Sequence, residues 1–229
     1  MSFGNVLALK KSRLLLDVSL WSGNLINLQQ SIDSTAEWAD FFHIDVADAH
    51  YVPSLLFFPD LIKAINRYTS VPLHTHLMMT DPLEHLEEFV EAGSSIISLH
   101  VDQGESRLRQ ASDYLKGQGV QMGLVLRVED EVSSILPFLA DISLVLVMGT
   151  RIGIKGASLE TSTPNKIQSL TKLLAEHGVA DNIIVSADGG IREHTVPLLR
   201  QAGIDMITPG SLVFSSPDIP QTVAWLHSL

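Results

Sequence analysis

The sequence predicts a (β/α)8 barrel, with residues 1–229 as one domain, on three observations. Short apolar, β-branched runs alternate with longer amphipathic segments from end to end, the pattern of βαβ units feeding a parallel sheet. Eight such rounds fit within 229 residues, slightly under the usual size of a closed barrel. The alternative, a doubly wound open sheet, would usually place a G-x-G-x-x-G turn after its first strand, and Ser19-Leu20-Trp21-Ser22-Gly23 does not supply one.

In chain order, the apolar runs predict strands at 14–20, 41–46, 72–78, 96–101, 121–127, 142–148, 182–187 and 204–208. Helices are predicted near 25–38, 58–67, 82–92, 105–117, 130–139, 164–177, 191–202 and 217–228. Asp81-Pro82 reads as a helix start, with proline in the first turn. Ala92-Gly93, His177-Gly178 and Ala202-Gly203 read as glycine-terminated ends. No linker, low-complexity stretch or change of composition interrupts the series.

Composition narrows the function. Hydrophobic residues make up 45% and charged ones 18%, enough apolar material for a sizeable core. A formal net charge of -11 argues against a nucleic-acid surface, which needs clustered Lys and Arg. An anionic small molecule would have to be held locally, by backbone N–H groups, a helix N-terminus or a metal. With no cysteine there is no disulfide, thiolate nucleophile or sulfur ligand, so any metal must sit among His, Asp and Glu. No run approaches a membrane-spanning length, and a cytoplasmic protein is the expectation.

Barrel enzymes place their chemistry at the C-terminal ends of strands, and the polar residues fall there. His43 and Asp45 end the second strand two apart, so they share a face. The pair reads either as an N,O chelate for a divalent metal or as a hydrogen-bonded core histidine beside a strand-end cap. The third strand offers His74 and His76 on one face, of which one is expected to join the site. His100 ends the fourth strand and either lines the pocket or is a buried, satisfied histidine. The seventh ends Asp188-Gly189-Gly190-Ile191, a carboxylate at the rim followed by two glycines read as opening a helix. Thr208-Pro209-Gly210-Ser211 follows the eighth strand, and loops seven and eight commonly bind phosphate.

Taken together, these stretches resemble the ribulose-phosphate 3-epimerase family over nearly the full length of the chain. Ser19-Leu20-Trp21-Ser22 is similar to the family's S-x-L-S, and His43 to Pro53 resembles H-x-D-V-M-D-G-H-F-V-P. His76-Leu77-Met78, Val147-Met148, Asp188-Gly189-Gly190-Ile191 and Gly210-Ser211 complete the likeness. The resemblance implies one divalent metal ion (Zn, Fe(II), Mn or Co) on His43, Asp45, His76 and Asp188, with Asp45 and Asp188 also the acid/base pair. It implies C3 epimerisation of a ketose phosphate, of the D-ribulose 5-phosphate to D-xylulose 5-phosphate type, through an enediolate, and a homo-oligomer. Substrate contacts are expected from Ser19, Met78, Met148, Gly153, Gly156, Gly189, Gly190, Gly210 and Ser211; for the two methionines, ordinary barrel packing is the other reading.

The sequence also departs from the family pattern. Arg151-Ile152-Gly153-Ile154-Lys155-Gly156-Ala157 stands where N-P-G-F-G-G-Q is usual, Ala47 and Ala49 replace Met and Gly, and His74 replaces an Asp. Lys155 is either a cation for an anionic group or solvent-exposed. These changes spare the four ligands but open the substrate to a hexulose 6-phosphate or tetrulose phosphate. Two rival classes are a barrel phosphosugar decarboxylase or aldolase, disfavoured because no strand end offers a lysine, and a non-catalytic binding barrel, disfavoured by the complete ligand set.

Overall fold

Eight parallel strands close into a barrel in the computed structural model, which describes residues 3–229. They are β1 Leu15–Ser19, β2 Phe41–Asp48, β3 Leu73–Met78, β4 Ile96–His100, β5 Gln121–Leu126, β6 Leu144–Met148, β7 Ile184–Asp188 and β8 Met206–Thr208. Closure follows because β1 pairs in parallel with both β2 and β8, leaving no barrel edge exposed. All eight predicted strands are present, most of them trimmed by a residue or two.

Alternation along each strand separates two cores. Leu15, Phe41, Ile96, Leu144, Ile184 and Met206 form one buried cluster inside the barrel. Their neighbours Leu16, Phe42, Ile97, Val145, Val185 and Ile207 belong to the larger cluster beneath the helices. Inward positions further along the first four strands are polar: Asp17 and Ser19 on β1, His43 and Asp45 on β2, His74 and His76 on β3, Ser98 and His100 on β4; β5 and β6 stay apolar there, with Val125, Leu146 and Met148. The barrel is thus apolar at its base and, on the side of β1 to β4, polar toward its C-terminal mouth.

An unpredicted helix, α1 (Phe3–Leu9), closes the base. Val6 is fully buried within the inner cluster. Lys10, just after it, is buried too, its Nζ donating to the Ala180 and Ile183 carbonyls and pairing with Asp205 at 3.2 Å. Among the later helices, the segment predicted at 130–139 is a 3-10 helix, Val132–Phe138. Pro137 lies inside it, and proline removes a backbone donor and crowds the preceding turn. The 82–92 segment divides into a 3-10 turn, Pro82–His85, and a short α-helix, Leu86–Glu91.

The β2 loop folds back so that Leu55–Leu56 pairs antiparallel with Ala47 and Asp48. At its turn Ala49 has φ 61°, the one non-glycine residue with positive φ among those described. The left-handed region costs an L-residue roughly 1–2 kcal/mol, partly offset in any glycine replacement by about 0.5–1 kcal/mol of chain entropy. Ala49→Gly is therefore expected to raise the thermal midpoint by about 1–3 °C in a denaturation scan, and a lowered midpoint would show that the turn carries no strain.

Candidate metal centre and substrate mouth

Strand register brings the four candidate ligands together. β2 and β3 pair with His43 beside His74 and Asp45 beside His76, while Asp188 ends β7 between Met148 of β6 and Thr208 of β8. One ligand atom from each of His43, Asp45, His76 and Asp188 lies within 4.8 Å of every other. His43 Nε2 is 3.2 Å and His76 Nδ1 3.3 Å from Asp45 Oδ1. Both imidazoles are completely buried and Asp45 nearly so. Two nitrogens and two carboxylates converging in this way fit a divalent cation of the Zn, Fe(II), Mn or Co type.

The electrostatics divide the two carboxylates. Burial pushes Asp45 up, but the His43 and His76 imidazoles outweigh it and hold Asp45 far below the usual carboxylate range. Burial and the neighbouring Asp45 push Asp188 up to about 7. His43 is driven the other way from most buried histidines: burial lowers its pKa, yet Asp17 and Asp45 raise it well above the ordinary value. His100 is held well below by burial and by His76. It is therefore neutral, and its Nε2 lies 2.8 Å from His76 Nε2, placed to accept a hydrogen bond from that nitrogen while Nδ1 of His76 faces Asp45.

The residues named for substrate contact also gather at this mouth. Ser19, Met78, Met148, Gly153, Gly156, Gly189, Gly190, Gly210 and Ser211 all line one pocket with Asp45 and Asp188. Ser19 Oγ donates to Asp45 Oδ2 at 3.4 Å. Gly190 has φ +70°, and a Cβ there would sit 2.6 Å from the Leu159 backbone, so this turn admits no side chain. The glycines do not open a helix directly, as the sequence had suggested. Thr195 Oγ1 donates to the Gly190 carbonyl and accepts from Arg192 N–H, each at 2.8 Å, and the helix begins only at Val196.

Of the third-strand histidines, His76 joins the cluster, while His74 lies one level deeper against Asp17 and Ser98. Lys155 reaches across the mouth, its Nζ donating to the Trp21 carbonyl at 2.8 Å and lying 5.6 Å from the Trp21 ring centroid. Sequence reasoning missed Arg151 and Arg192, which line the same pocket, and Asp17. Arg192 directly follows Asp188-Gly189-Gly190-Ile191, which was the available signal; Arg151 has none beyond its place in the altered loop.

A model of the ribulose-phosphate 3 epimerase family matches residues 15–214. The chain belongs to that family. It is 34% identical over 181 residues to the ribulose-phosphate 3-epimerase of Chlamydia pneumoniae, covering 79% of each chain. It is 32% identical to that of Chlamydia muridarum, covering 92% of each, and 32% identical to that of Bacillus subtilis, covering 81% of this chain and 85% of the other. Membership places the chain among isomerases of the racemase and epimerase class, as the sequence motifs implied. Among solved structures, 3-keto-L-gulonate-6-phosphate decarboxylase from Vibrio cholerae superposes with TM-score 0.71 at 14% identity, covering 93% of this chain and 95% of that one. 3-Hexulose-6-phosphate synthase from Salmonella typhimurium gives 0.66 at 17%, covering 93% and 100%. At these identities they share the barrel fold alone.

A cation competes with protons for Asp188 and His43, so its affinity depends on pH. Burial and Asp45 push Asp188 up to about 7, and Asp17 and Asp45 raise His43, which makes binding weak on the acid side and tight on the alkaline side. Calorimetric titration of chelator-stripped protein with Mn²⁺ is expected to give affinity at least about tenfold tighter at pH 8 than at pH 6. Equal affinities would mean that these two groups do not bind the ion.

Proposed function

We propose that the chain epimerises C3 of a ketose phosphate, of the D-ribulose 5-phosphate to D-xylulose 5-phosphate type, with His43, Asp45, His76 and Asp188 holding one divalent metal ion. The observation that carries this reading is the convergence of those four side chains within 4.8 Å at the C-terminal mouth of a chain in the ribulose-phosphate 3-epimerase family. The family relatives bear that enzyme's name.

Inverting a carbon beside a ketone requires removing its proton from one face and returning one to the other. Asp45 and Asp188 suit the two tasks because their environments push their pKa values apart, the pattern that separates a base from an acid. Ionised Asp45 takes the C3 proton and protonated Asp188 supplies one from the opposite side; the reverse reaction exchanges the roles. A bound divalent cation supplies Lewis-acid stabilisation of the charge developing on the substrate oxygens, of order several kcal/mol. Ser19 holds Asp45 by its hydroxyl. Met78 and Met148 give the reacting carbons an apolar wall, nearly free of solvent.

The phosphate falls to the turns Gly189-Gly190 and Gly210-Ser211, with Gly153, Gly156, Lys155 and Arg192 around them. The cations Arg151, Lys155 and Arg192 have no carboxylate partner within 4.0 Å among the described residues, unlike Arg107, Arg109 and Arg127. Because the loop carrying Arg151 and Lys155 differs from the family pattern, a hexulose 6-phosphate or tetrulose phosphate is the second substrate reading. Exposed Leu25, Ile26, Leu55 and Phe58 support a homo-oligomer. The proposed location is the cytoplasm; separately, among the described residues no helix is long and apolar enough to cross a membrane.

The test incubates metal-loaded protein in deuterated water with each of the three ketose phosphates and follows deuterium at C3. Exchange with at least one is expected, and Asp188→Asn should slow it by about 10²–10⁴-fold with the fold intact. No exchange with any substrate would end the epimerase reading, and full activity in Asp188→Asn would remove that residue from the chemistry.

A further inference from the structure

One level below the four candidate ligands, the barrel interior holds a second polar cluster that the proposed reaction does not use. Asp17 on β1 is wholly buried. Its Oδ2 accepts from His43 Nδ1 at 2.7 Å and from His74 Nδ1 at 2.6 Å. His74 Nε2 continues the chain to Ser98 Oγ at 2.7 Å. A carboxylate this deep is expensive to desolvate and persists only when strongly hydrogen-bonded. Two imidazole N–H groups meet that requirement at Oδ2, while Oδ1 has no hydrogen-bond partner among the described residues.

We infer that Asp17 is the positioning residue of the metal centre, fixing His43 as the Nδ1–H tautomer with its Nε2 turned toward Asp45 and the cation. A neutral imidazole carries one ring proton, and the partner of one nitrogen decides which lone pair is left for a metal. With Nδ1–H given to Asp17, the lone pair rests on Nε2, the nitrogen 3.2 Å from Asp45 Oδ1. The other group near His43 Nδ1 is His74 Nδ1 at 3.3 Å, which in this arrangement is itself a donor to Asp17. Asp17 is thus the one acceptor in reach among the described residues, and its negative charge also makes His43 a more basic ligand.

This arrangement also accounts for the departure at residue 74. Where the family pattern has an Asp on the third strand, this chain has His74, and the carboxylate at that level comes from β1 instead. His74 then holds Asp17 Oδ2 in place from the far side. His76 has a separate support, its Nε2 facing His100, so changing Asp17 leaves the second imidazole ligand untouched.

The inference rests on His43 being a metal ligand, and the experiment separates the two claims. Chelator-stripped whole chains of wild type, Asp17→Asn, Asp17→Ala and the double variant Asp17→Ala/His74→Asp are titrated with Zn²⁺ against a chromophoric chelator. Circular dichroism checks folding, and the Co²⁺-loaded proteins are compared by visible absorption. Asp17→Asn, which keeps an acceptor oxygen without the charge, is expected to bind about tenfold more weakly, and Asp17→Ala up to about 100-fold, with an altered Co²⁺ spectrum. The double variant, with a carboxylate again beside His43, should regain most of the affinity. A purely structural Asp17 would lower the melting temperature yet leave affinity and Co²⁺ spectrum of the folded protein unchanged, and that result overturns the inference. Should Asp17→Ala fail to fold, Asp17→Asn decides alone, and affinity within about twofold of wild type overturns it. A wild-type chain that binds no divalent cation overturns the metal-centre proposal and this inference with it.

Discussion

The parallel register between β2 and β3 is the constraint on which the candidate site depends. It sets His43 beside His74 and Asp45 beside His76, so two imidazoles and a carboxylate face one point. A shift of one residue in β2 would turn His43 and Asp45 outward into the helix layer and bring Phe42 and Ile44 inside, because side chains alternate with period two. Phe42, Ile44 and Val46 belong to the large outer core. The apolar packing that stabilises the barrel is therefore also what aims the polar residues.

Filling a barrel interior with histidines and aspartates is costly unless each group finds a partner. Here most do. Asp17 collects two imidazole N–H groups, and burial, which raises its pKa, is outweighed by His74 and His43, so that it stays ionised with a pKa of about 2. His76 reaches His100, and Ser19 reaches Asp45. Asp17 Oδ1, His100 Nδ1 and Ser186 Oγ have no hydrogen-bond partner among the described residues. The loops above this layer are anchored by their own contacts: Ser54 donates to the Gly153 carbonyl of the altered loop, and Tyr51 ties the β2 loop to Asp102.

Much of this was legible in the sequence because the relevant signals are local. Eight apolar runs give eight strands, and His43 with Asp45, or Asp188 with its glycines, can be read from residues two or three apart. Signals that depend on distant partners were not legible. Asp17 is the one charged residue in the run Leu14 to Leu20; its role emerges only from His43 and His74, 26 and 57 residues away. α1 is short and carries Gly4 and Asn5, poor helix formers, so its helix depends on docking Val6 against the barrel base. The helix expected at 130–139 failed for a local reason, Pro137, that the periodicity outweighed. Arg192 shows the opposite error: it adjoins a motif that was read, yet its place at the mouth depends on the turn closed by Thr195.

Anomalous diffraction from crystals of the manganese-loaded protein tests the central claim most directly. The expected result is one strong peak at the barrel mouth, about 2.0–2.3 Å from a nitrogen of His43 and of His76 and from a carboxylate oxygen of Asp45 and of Asp188. A loaded crystal with no peak there, or with its peak on other residues, would contradict the metal centre and the chemistry built on it.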